Sequence, residues 1–308
     1  MSVLVTGATG KQGGATARHL LALGIEVHAL VRTPNSAAAL ELQRLGATLI
    51  EGSFDDPDSL HRACANKTTV FLNVSPSFRN DGAEVRHATN VIHAARAAGT
   101  VTTLVYPSVC GIEHHESFPG WATWPADSVL KNYFLDKAAI EDLVRSSGFA
   151  NWTILRPPSF MTNYLNPTAS AFFPELTASH VFRTALAEGK RTMLISPDDI
   201  GRIAAAVIAD PSRFAGRAID IGAEALTAEE VAGALAEVSG REIRVEHIPE
   251  AEARELAKTS VQIDLQLWYW ERQTLFDPRE LQAELGVTFA SFRDFLRANE
   301  GLVRETLG

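Results

Sequence analysis

The chain has 308 residues, 46% of them hydrophobic and 21% charged, an ordinary globular composition with material for one large domain or two lobes. Its 28 basic residues face 37 acidic ones, a formal charge of −9, which argues against the broad basic surface of a direct nucleic-acid binder. The two cysteines, Cys64 and Cys110, fit neither a disulfide framework nor a zinc site, and no run approaches the roughly 20 apolar residues of a membrane span. Residues 3–6 already read as a buried strand, so no cleavable leader is expected and the expected compartment is the cytoplasm.

In chain order, VLVT at 3–6 breaks at Gly7, and 11–23 follows with helical apolar spacing and a stop at Gly24. EVHALV (26–31) is the second strand, 36–45 a helix, ATLIEG (47–52) the third strand and 57–65 a short helix. TTVFLNV (68–74) and TTLVYPS (102–108) are strands around a long helix at 81–98, and a helix at 131–147 leads to WTILRP (152–157). Uninterrupted apolar strands between helices specify a parallel sheet covered on both faces, a doubly wound α/β fold. Further on, RTMLIS (191–196) and RAIDIG (217–222) read as strands around a helix at 197–211. A capped helix at 227–240, a strand at 241–249 and a C-terminal helix at 288–300 complete the pattern. The stretch 107–130 has no clear period and is long for a connector, as substrate walls and lids often are.

Gly7, Gly10 and Gly13 form G-x-x-G-x-x-G between the first strand and the first helix. Gly7 permits the tight turn, Gly10 lets backbone N–H groups approach a pyrophosphate, and Gly13 lets helix and strand pack closely. Thr9, Lys11 and Gln12 in the same loop are further cofactor candidates. An NAD-preferring site places a carboxylate at the end of the second strand; here Arg32 and Thr33 stand there. A guanidinium forks onto a 2′-phosphate that a carboxylate would repel, so NADP(H) is the expected cofactor.

Tyr133 and Lys137, at i and i+4, share a helical face. Lys137 is expected to lower the phenol pKa and to hold a ribose hydroxyl, and Ser108 at the end of the fifth strand to orient a substrate carbonyl. Catalysis is therefore placed on Tyr133, Lys137 and Ser108.

These motifs resemble the short-chain dehydrogenase/reductase superfamily, and more narrowly its atypical NmrA-like group. GATGKQGGATARHLL, VRTPNS, EGSFDDPDSL, the segment around Tyr133 and Lys137, NWTILRPPSFMTNYL and PDDIGRIAAAVIADP follow that group's order along nearly the whole chain. The resemblance implies an NADP-binding Rossmann domain (1–155 and about 190–222) intertwined with a smaller substrate-binding lobe (about 156–189 and 223–308). It also implies that Lys137 contacts the nicotinamide ribose and that Pro157, Ser159 and Phe160 border the nicotinamide. Where the group has Gly-Asp after the third strand, this chain has Gly52-Ser53-Phe54, which leaves Phe54 to stack on the adenine. The superfamily's catalytic asparagine has no placeable counterpart, Asn73 being too ambiguous to nominate. The group contains both reductases of small molecules and redox-sensing regulators, often without the tyrosine, that act through a protein partner.

Other constellations carry less. His114, His115 and Glu116 lack metal-ligand spacing, and no metal is expected. Cys110 reads as a small buried hydrophobe. Trp121, Trp124, Met161 and Tyr164 are candidate pocket residues, whereas Trp268, Tyr269 and Trp270 cannot all face inward, so some reach a cleft or a homodimer surface. The expected function is NADPH-dependent reduction of a small hydrophobic or aromatic carbonyl, imine or enone, with Tyr133 as proton donor and neither nucleic acid nor membrane as partner. The alternative is a non-catalytic NADP(H) sensor with a protein partner, for which a nuclear location is also open.

Overall fold

The first strand, Ser2–Val5, is an apolar run whose last three residues are fully buried, and it lies inside a parallel sheet with a strand on either side. The computed structural model describes residues 1–118, 121–271 and 275–308, with the backbone alone at 123 and 269–271. The strands are β1 (Ser2–Val5), β2 (Glu26–Val31), β3 (Thr48–Glu51), β4 (Thr69–Phe71), β5 (Thr103–Pro107), β6 (Asn151–Arg156), β7 (Ser159–Phe160), β8 (Val181–Thr184), β9 (Thr192–Ile195), β10 (Arg217–Asp220), β11 (Glu224–Leu226) and β12 (Arg244–His247). Seven of them form one parallel sheet in the order β10-β6-β5-β4-β1-β2-β3. The order reverses between β1 and β4, and the strand carboxyl ends beside such a reversal form the crevice in which open α/β sheets bind ligands.

The first five long helices are α1 (Lys11–Ala22), α2 (Ala37–Arg44), α3 (Pro57–Cys64), α4 (Ala83–Ala97) and α5 (Val129–Arg145). Local chemistry sets their starts. Ser36 Oγ accepts the Ala39 N–H at the head of α2. Asp56 accepts the Asp58 and Ser59 N–H groups at the head of α3, where Pro57 needs no donor. The N-cap of α1 is Gly10, which has no side chain to accept its first N–H groups.

The chain divides into two units. The first comprises residues 1–113, 131–157 and 197–220; the second comprises 114–130, 158–196 and 221–308. The first holds the parallel sheet and a core of Leu4, Val70, Leu72, Val91, Leu104, Tyr106, Ile140 and Ile154, all nearly inaccessible. In it the helix Pro197–Ala209 lies so close to α1 that a Cβ on Gly201 would sit 2.5 Å from the Ala15 carbonyl carbon. The second holds two small sheets, β11-β9-β7 and β12-β8.

Three differences from the sequence reading stand out. RTMLIS, expected in the dinucleotide domain, is β9 of the second unit, hydrogen-bonded to β11 and β7. Residues 114–130 also belong to the second unit. The expected C-terminal helix at 288–300 is instead two helices, Phe292–Ala298 and Glu300–Leu307, broken at Asn299. Among the described residues no helix is long and apolar enough to cross a membrane.

Candidate functional site

The glycine loop joins β1 to α1 at the sheet's reversal. Gly7 has φ +58°, the left-handed region, and the Gly10 N–H donates to its carbonyl at 2.9 Å. A Cβ on Gly13 would meet the Gly7 carbonyl oxygen at 2.3 Å, so only glycine lets the first turn of α1 lie this close to the loop. Thr6 Oγ1 accepts the Asn73 N–H at 2.8 Å and donates to the Phe71 carbonyl at 3.1 Å, which ties the ends of β1 and β4 together. Asn73 thereby flanks Gly7: its Nδ2 would lie 2.7 Å from a Cβ there. In the same loop Gln12 Oε1 is buried without a hydrogen-bond partner among the described residues, while Thr9, Gly10 and Lys11 are exposed.

Arg32 and Thr33, just past β2, are exposed, and Arg32 makes no ion pair among the described residues. Phe54 is half-buried, packs on the core of the first unit and lies 5.2 Å from the His87 ring. Asp55 beside it accepts from Arg86 at 3.2 Å and contacts His87 at 3.1 Å, and these contacts, Arg86 first, hold its carboxyl below the usual range.

The second cluster lies on α5, α4 and β5. Tyr133 and Lys137 do share a face, with Lys137 Nζ 5.7 Å from the Tyr133 ring centroid. Lys137 is buried and donates to Glu84 Oε1 at 2.6 Å, and Glu84 is itself 1% exposed. The same ammonium lies 5.6 Å from the ring of the fully buried Tyr106. Burial works against the charge on Lys137, and Tyr106 and Glu84 reverse this, holding it above the ordinary lysine range. Tyr133 therefore corrects one expectation: burial, and then the Glu84 charge, push its phenol up rather than down. The ammonium that was expected to lower it is already compensated. Ser108, two residues beyond Tyr106, is buried, its Oγ without a hydrogen-bond partner among the described residues and its N–H donating to the Leu155 carbonyl at 2.7 Å.

Phe78, 57% exposed, stacks on Tyr133 with ring centroids 6.2 Å apart, and Phe134 meets the same ring edge-on at 5.4 Å. Arg156, the last residue of β6, forks onto buried Glu141 of α5 at 3.0 and 2.9 Å and reaches Glu113 at 2.5 Å. This clamp fixes α5, and with it Tyr133 and Lys137, against the sheet.

Other candidates fall elsewhere. Met161 and Tyr164, expected in a pocket, are 0% and 5% exposed in the core of the second unit, where Tyr164 stacks on Phe173 at 5.3 Å. Their place after β7 turns them inward, so they are structural. Pro157 accepts the Cys110 N–H at 3.0 Å, and Ser159 and Phe160 form the half-buried β7. Trp121 and Trp124 are half-buried at 5.5 Å from each other, and Trp121 also packs on His115 and Phe118. Trp268 is buried against Phe118, while the side chains of Tyr269 and Trp270 lie outside the described residues. Cys64 and Cys110 are free and buried; burial pushes the Cys64 thiol up to about 12, and burial with Asp220 lifts Cys110 higher still. Among the described residues no group of three or more His, Cys, Asp and Glu side chains could hold a metal ion.

Sequence reasoning missed Glu84, Tyr106 and Phe78. An acidic residue in a helix's first turn reads as a complement to the helix dipole, and Tyr106 reads as a strand residue. Nothing local marks either as a neighbour of Lys137.

The chain matches the model of the NmrA-like family over residues 1–288. It is 30% identical over 247 residues to the (4-alkanoyl-5-oxo-2,5-dihydrofuran-3-yl)methyl phosphate reductase of Streptomyces griseus, covering 80% of this chain and 77% of that one. The triphenylmethane reductase of Citrobacter sp. complexed with NADP(H) has the same fold, with a TM-score of 0.76 at 21% identity over 97% of this chain and 100% of that one. So does NmrA, a negative transcriptional regulator solved in complex with NAD, with a TM-score of 0.75 at 17% identity over 99% and 97% of the two chains.

Proposed function

Because the chain belongs to the NmrA-like family, we propose that it is an NADPH-dependent reductase of a small hydrophobic or aromatic carbonyl, imine or enone compound. The observation that carries this reading is the conjunction, in the first unit, of a glycine-loop cradle with a cluster of half-buried Tyr133 and buried Lys137. The cradle fits a pyrophosphate. Gly13 holds α1 against the loop where any Cβ would push it away, Gly10 leaves the helix head uncapped, and Gln12 keeps an unpartnered buried oxygen. Arg32, exposed and without an ion pair among the described residues, would take a 2′-phosphate, with Thr33 beside it. Phe54 would border the adenine, and Lys137 the nicotinamide ribose. Bound there, the cofactor supplies a hydride.

The chain's own residues handle the proton and the orientation. A phenol pushed above its ordinary range stays protonated at neutral pH, so Tyr133 is a donor in the reducing direction. As the acceptor's double bond is reduced, its oxygen or nitrogen takes the Tyr133 proton, and solvent then restores the phenol. Ser108, whose Oγ has no hydrogen-bond partner among the described residues, would donate to that acceptor atom. The exposed Phe78 ring stacked on Tyr133 supports an apolar or aromatic substrate. The names of the relatives, a reductase from Streptomyces griseus and a dye reductase from Citrobacter, support the reaction class.

The test follows NADPH oxidation by the wild type and by Tyr133→Phe across carbonyls, imines, enones and quinones, with NADH in parallel. Expected is turnover that falls by about 100-fold or more in the variant while NADPH affinity is kept. Tight NADPH binding with no turnover on any compound would overturn the reductase reading in favour of a sensor that acts through a protein partner.

A further inference from the structure

Lys137 does not sit alone behind Tyr133. One of its three donors is spent on Glu84 Oε1 at 2.6 Å, inside a site where Glu84 is 1% and Lys137 5% exposed. Around them stand Tyr106 from β5, Tyr133 and Asp136 from α5, and Asp81 from the turn before α4. Asp136 is raised by burial first and then by Glu84 and Asp81, so carboxylates weigh heavily on this face of α5. Glu84 Oε2 is buried without a hydrogen-bond partner, so this carboxylate is held by the ammonium alone among the described residues. A buried carboxylate is costly unless an opposite charge meets it, and among the described residues the charge that meets this one belongs to Lys137 of the candidate site.

We propose that Glu84 is a positioning residue, which locks the Lys137 ammonium in a neutral buried pair and so keeps Tyr133 a protonated donor. In a dehydrogenase working towards oxidation, an uncompensated lysine beside the tyrosine would favour the phenolate. Here the pair is neutral, and Glu84 acts on Tyr133 in the opposite sense. The site is thereby biased towards giving a proton to a reduced acceptor. The inference rests on the reading of Tyr133 as the proton donor, but it can be tested without turnover.

The experiment titrates tyrosinate absorbance of the full chain, as wild type, Glu84→Gln and the double variant Glu84→Gln/Lys137→Met. Each is paired with its Tyr133→Phe counterpart, so that the Tyr133 signal is obtained by difference. Glu84→Gln leaves an uncompensated ammonium 5.7 Å from the ring. At any pH below the midpoint, its Tyr133 tyrosinate fraction should rise by about tenfold or more. The double variant, which has neither charge, should return close to the wild type. Glu84→Asp, shorter by one methylene, should move the titration the same way by less, and serves if Glu84→Gln does not fold. An unmoved titration in these variants, or a shift that persists in the double variant, would overturn the proposal. A shifted titration in a chain that turns nothing over would support this assignment and sink the reductase reading; turnover with an unmoved titration would do the reverse.

Discussion

Gly13→Ala is the sharpest perturbation of the cradle. The added Cβ would lie 2.3 Å from the Gly7 carbonyl oxygen, 2.7 Å from its carbon and 2.9 Å from the Thr6 carbonyl oxygen. All three are backbone atoms of a loop tied at Thr6 to β4, so none can swing aside as a side-chain tip would. Restoring ordinary contact requires α1 to withdraw by about 1 Å, an overpacking strain of about 1–3 kcal/mol. The same withdrawal takes the N–H groups at the head of α1 away from where the proposed cradle would hold a pyrophosphate. Losing one charge-assisted hydrogen bond, worth about 1.5–3 kcal/mol, should weaken NADPH binding by roughly 10- to 100-fold. Gly10→Ala meets a single oxygen at 3.2 Å and should show a much smaller effect. Gly233→Ala, in an exposed helix interior with nothing within 4 Å, should stabilise the chain by about 0.5–1 kcal/mol. Denaturant unfolding and fluorescence titration with NADPH measure both quantities. If Gly13→Ala unfolds with the wild type and binds NADPH equally well, the close-packing argument for the cradle is refuted.

Two further outcomes follow from the same structure. Arg32→Ala should cost roughly 10- to 100-fold in NADPH affinity and leave NADH binding unchanged, since only the former carries a group for the guanidinium; equal losses for both would remove Arg32 from the 2′-phosphate. In the second unit His247 Nε2 meets Glu229 Oε1 at 2.7 Å and its Nδ1 meets the Leu186 carbonyl at 2.7 Å. Burial opposes the His247 charge, but these contacts raise its pKa above 6.5; burial likewise opposes the Glu229 charge, and the His247 hydrogen bond together with those from the backbone and Thr227 lowers it below 4.5. The histidine's contribution is present below its unfolded value and is lost as pH rises through the higher folded one. The glutamate's is present above its unfolded value and is lost as pH falls through the lower folded one. The half-exposed pair thus contributes most between pH 4.5 and 6.5, by about 1 kcal/mol or less. His247→Asn should flatten that rise in a stability–pH curve, and an unchanged curve would show that the pair contributes nothing.

How much of this was legible in the chain depends on length scale. EVHALV at 26–31 coincides with β2 because six apolar-rich residues carry a period of their own. β7, two residues long, and β11, three, are too short to show one and exist only through their pairing with β9. For the same reason β9 looked like one more strand of the parallel sheet; its partners, not its composition, place it elsewhere. The glycine loop was readable because its three glycines answer to local geometry. The charge state behind Tyr133 was not, because Glu84 lies 53 residues from Lys137 and no local pattern couples them. Met161 and Tyr164 show the opposite limit: position after a strand suggested a pocket, whereas burial makes them core.

The division into units has a consequence for synthesis. The chain passes from one unit to the other five times, at 113/114, 130/131, 157/158, 196/197 and 220/221. The first unit therefore stays unfinished until residues 197–220 have emerged: β10 must add beside β6, and the helix carrying Gly201 must close on the face of α1 around Ala15. By then the ribosome has delivered β7, β8 and β9, while β11, which pairs with β9, and β12, which pairs with β8, are still to come. The first unit has all of its chain once residue 220 has emerged, whereas the second still waits for residues 221–308. The completion of the sheet behind the glycine loop is thus timed by residues far downstream of the loop itself.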